Sequence, residues 1–190
     1  MGDPVVAFQQ AAENYRAAIE AAKDSEPGAS FARRLRNAVA SVYLAAALLD
    51  SGDLFDEDDA PDIDTTRSSE LESAVRSRFG PADTFWEVWD PTELDESDPS
   101  CGTLAGELVE IYEDLGVALA LLAMPERRGA LWDITEGFAD HWGEHAVNVL
   151  RPLHQLARYG IAGFDYPLPQ PHDTSGASRR RLISRLFGRR

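Results

Sequence analysis

A single cysteine, Cys101, in 190 residues leaves no partner for an internal disulfide and rules out a multi-cysteine metal site. No apolar run approaches the ~20 residues of a membrane span. The start, MGDPVVAFQQ, has no basic segment followed by an apolar one, so no secretory signal is expected. It also has Val6 where the myristoylation pattern requires Ser or Thr. Gly-rich phosphate loops, Gly-x-Gly-x-x-Gly and Gly-x-Ser-x-Gly are all missing. No repeat of roughly 20 to 50 residues is visible, and no alternating pattern predicts a strand. Cys101 follows an acidic loop stretch, poor surroundings for a reactive thiolate, and is not read as a nucleophile. The expectation is a cytoplasmic chain.

What is present is apolar enough to fold. Hydrophobic residues make up 44% of the chain, including four Trp and eight Phe, and a chain this long forms one domain, burying roughly 70% of its unfolded surface. The net charge of -15 is unevenly spread. The segment 178–190, SRRRLISRLFGRR, carries six Arg and no acid, which leaves the rest at -21. So acidic a body repels phosphate backbones and anionic membranes, and only the tail could bind them.

Helical periodicity runs through most of the sequence. Asp3 caps and Pro4 opens a first helix with Val5, Phe8, Ala12, Tyr15 and Ile19 on one face. PGAS interrupts it. Ser30 is the expected cap of a second helix with Phe31, Leu35, Val39, Val42, Ala46 and Leu49 inward, ended by Gly52. The acidic stretch 53–66 reads as a solvated loop, because it lacks the ligand spacing and closing Glu of a calcium loop. A shorter third helix follows from Thr66. Thr103 caps a fourth, with Leu104, Leu108, Ile111, Leu115, Leu119 and Leu122 inward. A fifth runs from Pro125 to Gly160, with Pro152 inside it expected to kink or split it. The prediction is an all-α bundle of four to five long helices over 1–160, a Pro-rich linker over 161–177 and a disordered basic amphipathic tail over 178–190.

The fifth helix contains His141-Trp142-Gly143-Glu144-His145, the letters of an inverted zinc-peptidase motif. At ~100° per residue, His141 and His145 share the edge of the apolar arc, about 40° apart, while Glu144 points away from it. The third ligand of such peptidases, a later Glu, has no counterpart, because no Glu follows Glu144. The peptidase reading is therefore set aside. A metal could instead take carboxylates from upstream: Glu107 and Asp114 lie along the edge of the fourth helix, with Glu110 further out. Were the two helices antiparallel, acids would face histidines, a ligand set for zinc or iron. The sequence favours the plainer alternative, half-buried histidines hydrogen-bonded to carboxylates in a packed interface, and no cofactor is predicted.

Two further features suggest partners. FWEVWDP places Phe85, Trp86 and Trp89 close together. Phe85 and Trp89 are expected inside and Trp86 under a loop, the alternative being an aromatic platform of Trp86 and Trp89 for a protein partner. In the tail, Leu182, Ile183, Leu186 and Phe187 fall on one helical face among Arg179, Arg180, Arg181 and Arg185. That pattern suits the chain's own acidic body, an anionic membrane or nucleic acid.

The segments Trp86 to Pro91, Leu108 to Leu115 and His141 to Ala146 together resemble the bacterial, largely actinobacterial, domain-of-unknown-function family DUF5063, over about residues 5–160. The resemblance implies a helical cytoplasmic domain and no assigned activity. It also implies that other residues are tolerated at position 144, which a general base could not allow. The sequence as a whole points to a non-enzymatic interaction or adaptor module. A metal- or small-molecule-binding protein using Glu107, Asp114, His141 and His145 is one alternative, and recruitment to a membrane or nucleic acid by the tail is another.

Overall fold

The computed structural model describes residues 2–24, 28–49, 63, 68–87, 100–124 and 127–160, without the side chains of residues 127 and 128. The linker, the basic tail, Trp89 and the acidic stretch apart from Ile63 lie outside these residues.

Helix α1 (Pro4–Glu20) starts where its sequence predicts, with Asp3 Oδ1 accepting from the Val5 amide at 2.9 Å and Pro4 at the first position. Its stripe of Phe8, Ala12, Tyr15 and Ile19 is fully buried. Helix α2 spans Gly28–Ala47 and buries Phe31, Leu35, Val39 and Val42. Ser30 therefore lies inside its first turn and does not cap it, because the helix continues two residues further back. The expected stop at Gly52 lies outside the described residues. Helix α3 (Ser69–Phe79) ends at Gly80, whose φ of 52° places it in the left-handed region that favours glycine.

Two short strands, β1 (Thr84–Glu87) and β2 (Ser100–Thr103), then pair antiparallel, with Phe85 opposite Gly102 and Trp86 opposite Cys101. The all-helical expectation missed them. Four residues are too few for alternation to stand out, and the ladder bonds that stabilise them come from a segment more than ten positions away. Phe85 is half-buried, and Trp86 lies in the open at 55% exposure rather than under a loop.

Helix α4 (Leu104–Leu122) leaves the ladder directly. Thr103 Oγ1 accepts from the Gly106 amide at 3.2 Å and the buried Asp83 accepts from the Ala105 amide at 2.8 Å, so two orphan donors of the first turn are satisfied. Helix α5 (Arg127–Gly137) runs through a single π turn, 138–142, into α6 (Gly143–Tyr159). The expected fifth helix is thus one helical course whose irregularity falls ten residues before the proline. Pro152 sits inside α6 without ending it, since its fixed φ suits a helix and removes only one rung.

Helix α2 packs against α1 and α6, while α4 packs against α1, α3, α5 and α6. The contacts are mainly aliphatic and aromatic, each large side chain removed from water contributing roughly 1.5–3 kcal/mol. Polar ties set the α1–α4 register. The buried Tyr15 hydroxyl donates to the Leu108 carbonyl at 2.7 Å. Arg16 donates to the Tyr112 carbonyl with its guanidinium 3.7 Å from the Tyr112 ring centre, in space that Gly116 leaves open. Among the described residues no helix is long and apolar enough to cross a membrane.

Burial raises the Asp83 carboxyl above its ordinary 3.8, against the Ala105 hydrogen bond and nearby Arg76, which both lower it. The folded protein therefore keeps this proton to higher pH than the unfolded chain. Its share of stability is greatest in acid and declines as pH climbs from about 3.8. Urea unfolding should show Asp83→Ala losing about 1–2 kcal/mol through the lost cap. Asp83→Asn, which keeps an acceptor, should lose less and flatten the decline.

Candidate functional site

The π turn builds one wall of a polar groove. A helix of i→i+4 rungs sets residues four apart about 40° out of line, and a wider i→i+5 turn changes that offset. His141 lies in that turn and His145 just beyond it, their ring centres 4.8 Å apart and their planes at 89°. Gly143 makes the turn feasible. A Cβ there would stand 2.2 Å from the Phe138 carbonyl oxygen and 3.0 Å from the Phe138 ring. Phe138 and Trp142, with ring centres 4.9 Å apart, anchor the other face of the turn against the core.

The opposite wall is α4, which runs antiparallel to α6. Asp114 Oδ2 lies 2.9 Å from His141 Nδ1, and Glu107 Oε2 lies 2.7 Å from His145 Nδ1. An ionised carboxylate only accepts, so both Nδ1 atoms carry a proton, and in the neutral rings both Nε2 atoms present lone pairs. Those Nε2 atoms face each other at 3.3 Å, and Glu110 Oε2 approaches His145 Nε2 at 3.1 Å. Three acceptors from Glu110, His141 and His145 thus converge, all within 4.8 Å of one another. A cation between them, a proton or a metal ion, is what turns this repulsive arrangement into an attractive one.

Burial pushes the Asp114 carboxyl up, and His141 pulls part of that back. The Glu107 hydrogen bond raises the His145 imidazole above its ordinary value, with burial acting the other way. The site is open on one side: the His141 side chain is 57% exposed and that of His145 only 20%. The cavity there is about 240 Å³, with Glu87, Asp140, Glu144 and Asn148 completing its lining.

The structure therefore brings together all four residues named from the sequence, Glu107, Asp114, His141 and His145. Glu144 lies on the cavity wall but is exposed, as the wheel predicts. Glu110, expected further out than Glu107 and more exposed than it, still joins the cluster, since Glu107, Glu110 and Asp114 at i, i+3 and i+7 form one stripe. One residue escaped the sequence reading. Glu87 comes from a strand the sequence did not announce.

The two glycines of the π turn should respond oppositely to alanine. Gly143→Ala overpacks against Phe138 and should cost about 1–3 kcal/mol in thermal or urea unfolding. Gly137, where a new Cβ would meet only Trp142 at an ordinary 3.7 Å, should tolerate alanine or gain about 0.5–1 kcal/mol.

Comparison with known proteins places this fold. The model of one protein family, described as a domain of unknown function, DUF5063, matches residues 2–158. The chain belongs to the DUF5063 family. The crystal structure of protein BF1032 from Bacteroides fragilis is similar in fold, with a TM-score of 0.64 at 20% identity, covering 90% of this chain and 97% of that one. No curated protein matches the chain.

Proposed function

We propose, since membership of that family carries no activity, that the domain is a metal-binding protein. It holds one divalent transition metal, zinc or iron, on His141 Nε2, His145 Nε2 and Glu110 Oε2. The observation that carries this reading is the convergence of those three acceptors while each imidazole gives its other nitrogen to a carboxylate. Ligating histidines characteristically do this, the carboxylate fixing tautomer and ring orientation. Glu107 and Asp114 are then positioning residues. The spacing of the two imidazoles fits as well, and the Glu110 carboxylate, within 4.8 Å of both, closes on the ion by turning its side chain. Ligand atoms ~2.0–2.1 Å from a tetrahedral ion lie about 3.3 Å from each other, and the two imidazole nitrogens are 3.3 Å apart. Three protein ligands leave a position to solvent, the pattern of an exchangeable site rather than a closed structural one.

A second reading, a protein-interaction module, draws on the exposed apolar side chains. Trp86 is 55% exposed on the outer face of β1, and Leu44 on α2 and Leu48 just past its end are 61% and 65% exposed. A binding partner would cover them, and loss of binding in Trp86→Ala with the fold intact would identify the surface.

The metal reading is tested by elemental analysis of the purified, untagged chain beside the His141→Ala/His145→Ala double variant. The expected result is close to one equivalent of zinc or iron in the native chain and none in the variant. Equal metal in both, or none after zinc addition to the native chain, overturns the reading. Asp114→Asn and Glu107→Gln should keep the site but weaken zinc binding about 10- to 100-fold.

A further inference from the structure

The strand pair forms the third wall of the groove, and its inner face is built around one carboxylate. Exposure alternates along β1: Thr84 and Trp86 point outward, Phe85 and Glu87 inward. Across the ladder from Phe85 lies Gly102, which is buried. A Cβ on Gly102 would sit 2.6 Å from Glu87 Oε2 and 3.0 Å from the Phe85 ring. The space left by the missing side chain is therefore the seat of the Glu87 carboxylate. Its other oxygen, Oε1, accepts from the Ser100 hydroxyl at 3.0 Å. Glu87 lines the same cavity as Glu110, His141 and His145. The other acids of that cavity that are not paired with a histidine, Asp140 and Glu144, are exposed, whereas Glu87 is half-buried, with Oε1 bonded to Ser100 and Oε2 seated over Gly102. Holding a carboxylate in a shaped seat costs side-chain entropy, and that cost is offset where the carboxylate meets a ligand.

We infer that Glu87 belongs to the metal centre, as an outer carboxylate that accepts a hydrogen bond from a water on the open side of the ion. This rests on the metal reading above. It adds that the ion ties three elements together, α4, the π turn leading into α6, and the strand pair, so that occupancy of the site orders the strands. Glu87 acts as a positioning residue, with Gly102 and Ser100 acting through it.

The test uses the full chain, zinc affinity by chelator competition and hydrogen exchange across 84–87 and 100–103. Zinc should slow exchange there in the native protein. Glu87→Gln should bind zinc about 10- to 100-fold more weakly, melt like the native protein when metal-free, and lose the zinc-dependent slowing. Gly102→Ala, which displaces the carboxylate, should weaken zinc similarly, and the double variant should be no weaker than Glu87→Gln alone. Where Gly102→Ala does not fold, Ser100→Ala replaces it, with a smaller loss in the same direction. Native-like zinc affinity in Glu87→Gln, or additive losses in the double variant, overturns the role of Glu87 and leaves the three-ligand site standing. Absence of zinc binding by the native chain overturns both.

Discussion

Two imidazoles whose Nδ1 atoms are each engaged by a carboxylate have only one ring nitrogen each left with which to interact, and here those two nitrogens converge on one spot. That constraint organises the α4–α6 seam. Asp114 and Glu107, seven residues apart on α4, meet His141 and His145, four apart around a π turn. The wide turn lies on one side of this match and alters the helical register there. Much of the surrounding structure bears on this match. Asp83 and Thr103 set where α4 begins, Tyr15 and Arg16 fix its register against α1, and Gly143 lets the chain make the turn.

A packed interface needs no such convergence. A half-buried histidine is satisfied by one acceptor and one donor, or by water. Here the two Nε2 atoms meet each other and Glu110, and with neutral rings an acceptor facing acceptors costs about 1–3 kcal/mol when buried, less where water reaches it. A divalent ion reverses the sign of that interaction, and its binding free energy becomes folding free energy wherever the site is absent from the unfolded chain. The acidic lining has a consequence as well. With five carboxylates on the cavity wall and one against His141, an anionic ligand would be repelled even with an ion bound.

Much of the fold was legible because helical burial repeats locally. The stripes of α1, α2 and α4 and the caps at Asp3 and Thr103 follow from spacing and side-chain chemistry within a few residues. Errors came where the deciding contact was distant or the geometry irregular. Ser30 is a good cap by type, yet α2 extends back past it. Pro152 is a breaker by type, yet its helix continues, and the real irregularity arises at Gly143, whose role depends on the Phe138 carbonyl. The strands exist because residues 84–87 and 100–103 find each other, which neither segment's own pattern reveals.

The candidate site divides in the same way. The sequence by itself determined that His141 and His145 share a helix edge, that Glu107 and Asp114 share another, and that Glu144 points elsewhere, since all of these are angles along a single helix. Only the tertiary structure decided that the edges meet, that Glu110 rather than a later Glu supplies the third acceptor, and that Glu87 arrives from a strand seated over Gly102. These are relations between elements, set by how buried faces pack against each other, and no local periodicity encodes them.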